Sequence, residues 1–256
     1  MHIITDPLFY ALAVPAVVAL GLSKGGFAGV GQMATPLLAL VMPPLEAAAI
    51  MLPIMILQDA TAIWVYRKDW SGRILAIITP GAVIGIAVAS FLAAYISNAA
   101  VRVFVGGITV AFVIYYWAGM LSVPRERAKA GIVGGVFWGA LSGFTSTLAQ
   151  AGAPPYQIYV LAQRLPKMTF VGTSAIFFAA MNWLKVIPYV ALGQFSAKGL
   201  ATSLVLVPLA LLTNQLGFWL VRRTREDVFY KITMILMFLI GIALLRVGGV
   251  QLWQGH

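Results

Sequence analysis

Long apolar runs follow one another through the 256 residues, at about 45–66, 72–96, 99–121, 168–190, 198–221 and 228–248. Each has the roughly 20 residues that a helix needs to cross a hydrocarbon core about 30 Å thick. The runs are continuously apolar and do not alternate as barrel strands would, which leaves the α-helix as the spanning element. Only 9% of residues are charged and 61% are hydrophobic, whereas a soluble domain carries about 25% charged residues. The chain therefore reads as an all-α, polytopic integral membrane protein with no room for a soluble domain. Segment 130–147 is marginal for a span, and 7–22 is somewhat short.

Two further apolar segments, 33–42 and 154–163, have ten residues each, about 15 Å of helix and half a membrane. Each follows a break rich in glycine or hydroxyl residues, SKGGFAGVGQ at 23–32 and SGFTSTLAQAGAPP at 142–155. The two halves share a plan: a helix, a polar break, a half-helix led by proline, then three long spans. Pro36 pairs with Pro155 and Trp64 with Trp183 at the same offset of 119, and the fourth spans align through Pro80 and Pro208. We divide the chain into a first transmembrane repeat at 1–122, a cytoplasmic linker at 123–129 and a second repeat at 130–256.

Five segments per repeat is an odd number, so the second repeat is expected to run inverted, a plan common among secondary transporters. Basic residues then fall unevenly. Arg67, Lys68, Arg73, Arg125, Arg127, Lys129, Arg164, Lys167, Arg222, Arg223, Arg225 and Lys231 lie on one side, and Arg102, Lys185, Lys198 and Arg246 on the other. The bias makes the first side cytoplasmic and both termini external. Whether 7–42 and 130–163 span or re-enter, the orientation is the same. The net charge of +10 has this topological origin. No basic run exceeds two residues, so no nucleic-acid partner is expected.

The chain has no cysteine, and its histidines are His2 and His256, at the two ends. Zinc motifs, haem ligation by paired histidines and His-based dyads lack their raw material. No Walker motif appears. GALSG at 139–143 has the form of an intramembrane-protease serine motif, but a serine needs a base and no histidine lies in the membrane. The expectation is a non-enzyme with no cofactor and no metal. The first Lys or Arg, Lys24, follows the first apolar run, so no cleavable signal peptide is expected.

A helix broken inside the membrane exposes backbone N–H groups, and the positive end of a half-helix dipole adds to them, which together favour an anion. Glycine permits close approach and positive φ. The first break supplies Gly25, Gly26, Phe27 and Gln32, and the second supplies Thr145, Ser146, Gln150 and Gly152, as candidate substrate-binding residues. Lys24 and Asp59 are ionisable residues placed at membrane depth, where charge is costly and usually functional. Lys24 is a candidate attractor for the anion and Asp59 a candidate proton acceptor for coupling. A buried Lys24–Asp59 pair that only fixes the helices is the competing reading. Asn182, beside Trp183, stands near the position in the second half that Asp59 holds in the first, and is a candidate donor to the anion. Gln58, Gln157, Asn214 and Gln215 form a weaker set.

The pattern SKGGFAGVGQMATPLLAL, with its echo ALSGFTSTLAQAGAPP, resembles the sulfite exporter TauE/SafE family, also called the toluene sulfonate uptake permease family. The resemblance covers nearly the whole chain, including its duplicated layout. It implies an inner-membrane transporter of sulfite, sulfonates such as sulfoacetate, or related organosulfur anions. The expected function is a secondary transporter, an exporter in direction, working by alternating access with possible proton coupling. The alternative is an anion channel with no ion coupling. The expected partners are the lipid bilayer and the anion, and a homodimer is left open.

Overall fold

A computed structural model describes residues 3–25, 31, 34–38, 41–42, 44–92, 95, 97–118, 131–149, 151–191, 193 and 195–254. Among these it is all-helical. The helices are α1 (Pro7–Lys24), α2 (Ala34–Leu38), α3 (Pro44–Tyr66), α4 (Gly72–Leu92), α5 (Asn98–Trp117), α6 (Ile132–Ala149), α7 (Ala153–Leu161), α8 (Lys167–Ala191), α9 (Ala197–Arg223) and α10 (Glu226–Trp253). Seven are long and apolar enough to cross a membrane, namely α1, α3, α4, α5, α8, α9 and α10. Apolar side chains on their outer faces, such as Phe91, Leu204 and Leu212, stand exposed, as expected where lipid is the solvent. The 123–129 linker lies outside the described residues.

The chain packs as two compact units, Met1–Trp70 with Val171–Arg225, and Ser71–Phe170 with Glu226–His256. Each unit draws on both sequence halves. The repeat division is one of sequence pattern and the unit division one of packing, so the two do not coincide.

The first unit contains α1, α2, α3, α9 and all of α8 beyond Phe170. Asp6 starts α1: its side chain accepts from the Leu8 N–H at 2.9 Å, with Pro7 at the first position, where no helical hydrogen bond is lost. α1 lies along α9, and α3 packs on α9 as well. The α1–α9 contact is backbone on backbone. A Cβ added to Gly25 would sit 2.3 Å from the Gly217 carbonyl oxygen, and one on Gly21 would sit 2.2 Å from Thr213 Oγ1. Small residues four apart allow this approach, and van der Waals packing drives it where lipid offers no hydrophobic force. Phe9, Ala13, Val17, Leu20, Ile50, Met51 and Ile54 build the core with Leu206 and Ala210.

Polar ties cross the same unit. Gln58 Nε2 donates to the Ala210 carbonyl at 3.2 Å, and Asn214 Nδ2 donates to the Gln58 carbonyl at 3.1 Å and to Thr61 Oγ1 at 2.7 Å. Ser203 donates to the Ile50 carbonyl at 2.7 Å. Each tie removes a polar group that lipid could not satisfy.

The second unit contains α4, α5, α6, α7 and α10. Here α4 crosses α6 through glycines on both sides. Added Cβ atoms at Gly81 and Gly85 would lie 2.1 and 2.0 Å from the carbonyls of Val136 and Ala140, and those at Gly139 and Gly143 would lie 2.1 and 2.2 Å from Ile78 and Ala82. GALSG is thus a helix-packing sequence. α5 pairs with α10 in the same manner, with Gly106 against the Gly241 carbonyl and Gly248 against that of Ala99.

Candidate functional site

The charged centre of the first unit is built from three helices. α3 turns a buried face inward at Met51, Met55, Asp59, Ala62 and Tyr66, a helical spacing of three and four that carries Asp59 into the interior. Lys24 is the last residue of α1, and its ammonium forms an ion pair with Asp59 Oδ1. α8 presents Asn182, whose Nδ2 donates to Asp59 Oδ2 at 2.8 Å. Both carboxylate oxygens therefore have a donor. Asp59 has no exposed surface, and Lys24 and Asn182 are buried.

A fourth member was not anticipated. Lys185 was placed with the outward loop charges, but it is buried in α8 with 3% of its surface exposed. It follows Asn182 by three residues, one helical turn on the same face. Its position within the apolar run 168–190 was the available signal; a lysine five residues inside a span is not a loop residue.

Lys24, Asp59 and Lys185 are the buried Lys, Arg, Asp and Glu side chains among the described residues. The other acidic residues among the described ones, Asp6, Glu46, Asp69, Glu226 and Asp227, are not buried.

The remaining candidates fall out differently. Gly25 is the C-cap of α1 at φ −76°, its N–H bonded to the Leu22 carbonyl at 3.0 Å and its α-carbon seated on Gly217. Gly26, Phe27, Gln32 and Gln150 lie outside the described residues. In the second unit, Ser142 donates to the Gly152 carbonyl at 2.7 Å. The Thr145 hydroxyl stands 3.0 Å from the Ala151 carbonyl and 2.8 Å from that of Leu141. Ser146 is buried and packs on Gly152, the N-cap of α7, whose φ is −78°. Neither Gly25 nor Gly152 uses positive φ; both are chosen for close approach. The first turn of α7 contains Pro154 and Pro155, which have no N–H, so that helix end has fewer donors than its length suggests.

Two of the weaker amides are tied up in structure. Gln58 and Asn214 spend their NH₂ groups on protein acceptors, and their carbonyl oxygens Oε1 and Oδ1 are buried without a partner among the described residues. An acceptor offers an anion nothing. Among the described residues, the open groove near the cluster is lined by apolar side chains such as Pro53, Leu57, Val186 and Phe195, which suits lipid.

Comparison with curated proteins and with solved structures returns no significant match. A family model does match, described as sulfite exporter TauE/SafE, over residues 13–244. That match spans both breaks, all four members of the charged cluster and seven of seven spanning helices in whole or part. This multi-pass membrane protein belongs to the sulfite exporter TauE/SafE family.

Proposed function

We propose that the protein is a secondary transporter of small organosulfur anions, sulfite or sulfonates, across a bacterial inner membrane. The observation that carries this is the buried Lys24–Asp59 ion pair, with Asn182 on the second carboxylate oxygen and Lys185 buried one helical turn from Asn182. Ionisable side chains kept inside an apolar helix bundle are costly and default to function, and ammonium groups there favour an anion. Asn182 holds Asp59 in place, and Asp59 is the group whose protonation would change the charge of the cluster by one unit. That makes it the candidate for proton coupling in an alternating-access cycle. Donors from the first break, Gly26, Phe27 and Gln32, are proposed to complete the substrate path.

Purified protein in proteoliposomes tests the reading. Uptake of radiolabelled sulfonate is expected to saturate, to respond to an imposed pH gradient and to vanish in Lys185→Ala. Flux that rises linearly with concentration and ignores the gradient would identify a channel. The loop-charge bias supports an orientation with both termini outside. A cysteine at Thr5 is expected to react with impermeant maleimide in intact cells and one at Lys68 to resist it; the opposite pattern overturns the orientation. Direction is proposed as export, with a homodimer as one candidate assembly.

A further inference from the structure

Five buried side-chain polar atoms have no hydrogen-bond partner among the described residues: Tyr10 Oη, Gln58 Oε1, Tyr66 Oη, Gln157 Oε1 and Asn214 Oδ1. The three amide oxygens can only accept. A phenol is protonated at neutral pH and can donate, so of the five only the two tyrosine hydroxyls have something to give an anion. A buried hydroxyl without a hydrogen bond lowers stability, and its retention calls for a cause.

The two hydroxyls stand in different places. Tyr10 is partly buried near the start of α1, about four turns before Lys24, with its ring edge-on to Phe9. Tyr66 is the last residue of α3 and has no exposed surface. It shares the buried face of α3 with Asp59 and Ala62, at helical spacings of three and four. Its ring stands edge-on to Phe218 of α9, with centroids 5.5 Å apart. Gly217, the residue before Phe218, has its carbonyl oxygen 2.3 Å from where a Cβ on Gly25 would sit. Gly25 follows Lys24 and opens the first break. This chain of contacts sets Tyr66 at the depth where α1 ends. A long helical side chain leans over the preceding turn, which for Tyr66 is the side of Asp59.

We infer that the Tyr66 hydroxyl is an anion-binding donor, giving a hydrogen bond to a sulfite or sulfonate oxygen held at the end of α1, beside the Lys24 ammonium and the first break. This rests on the transporter reading above. Lys24 offers charge on a flexible stem and little direction. Tyr66 offers direction, because its ring is held by Phe218 on one helix and its Cβ lies 3.1 Å from where a Cβ on Gly172 of α8 would sit. It adds no charge to the interior, and a hydrogen bond to an ionised acceptor is about twice as strong as a neutral one. The hydroxyl is a burden in the free protein and is satisfied in the bound one.

Tyr66→Phe removes the oxygen and keeps the ring, so it separates binding from stability. Full-length protein purified in detergent is titrated with methanesulfonate by calorimetry and melted without ligand. Tyr66→Phe is expected to melt no lower than wild type, since an unsatisfied polar atom is gone. It is also expected to bind methanesulfonate about tenfold to a hundredfold more weakly. Tyr10→Phe, which removes the other hydroxyl, is expected to keep the wild-type affinity. Unchanged affinity in Tyr66→Phe overturns the inference and leaves the transporter reading standing. A markedly lower melting temperature in Tyr66→Phe overturns it too, since the hydroxyl would then have a structural role. So does an equal loss of affinity in Tyr10→Phe, which would trace the effect to the fold. If wild type binds neither methanesulfonate nor sulfite, the transporter reading fails and this inference with it.

Discussion

Two stretches at matching places in the two halves, GLSKG at 21–25 and GALSG at 139–143, each set two glycines four residues apart against a partner helix. In α1 the second glycine meets the Gly217 carbonyl of α9, and in α6 it meets the Ala82 carbonyl of α4, at nearly the same separation. The residue before that glycine differs. In α1 it is Lys24, paired to Asp59; in α6 it is Ser142, whose hydroxyl caps the Gly152 carbonyl. The close helix crossing recurs at both breaks, whereas a buried charge stands in only one of these two stretches. The two breaks are therefore not equivalent.

The contrast is sharpest in matched substitutions. Lys24→Ala strands a buried carboxylate, which costs roughly 3–5 kcal/mol. Thermal unfolding of the purified variant should show the largest drop of the set, and sulfonate uptake should be lost. If Lys24→Ala is as stable as the parent, the ion pair contributes nothing and the asymmetry is only one of sequence.

The crossing itself predicts equality. Gly25→Ala and Gly143→Ala each push a methyl into a carbonyl, and overpacking of this kind costs about 1–3 kcal/mol. The two losses in Tm should agree. A large effect on one side alone would mean that the crossings are not the common element.

Ser142→Ala removes one buried hydrogen bond and leaves the Gly152 carbonyl short of a donor. The expected loss is about 1 kcal/mol, with saturable transport retained. Loss of transport with normal stability would instead place the second break in the anion path. The smallest effect belongs to Gly134→Ala in α6, where an added methyl meets nothing. Helix propensity predicts a gain of about 0.5–1 kcal/mol, measured by the same melting experiment, and transport should be unaltered.

Element existence was legible in the sequence, because lipid forces a continuous apolar run on every span and any interruption stands out. Segment 7–22 became Pro7–Lys24, 130–147 became Ile132–Ala149 and 154–163 became Ala153–Leu161. Segment 33–42 is helical over Ala34–Leu38 among its described residues. Lys24 and Asp59 were legible as buried charges for the same reason, since a charge inside an apolar run is conspicuous. GALSG was not legible as packing: two glycines at helical spacing look alike whether they approach a backbone or a ligand.

By itself, then, the sequence determined the all-helical membrane class, the two breaks, the family resemblance and two of the three buried charges among the described residues, Lys24 and Asp59, all consequences of composition along one dimension. Only the tertiary structure decided that Lys24 pairs with Asp59, that Asn182 from a distant helix holds the other oxygen, and that Lys185 turns inward to join them. The reason is rotation about the helix axis. A lysine near the end of a span can turn toward the headgroups or toward the interior with the same local sequence, and the packing of α8 against its neighbours selects between them. Charge balance in a buried site is a property of which faces meet, and that is not written in any single segment.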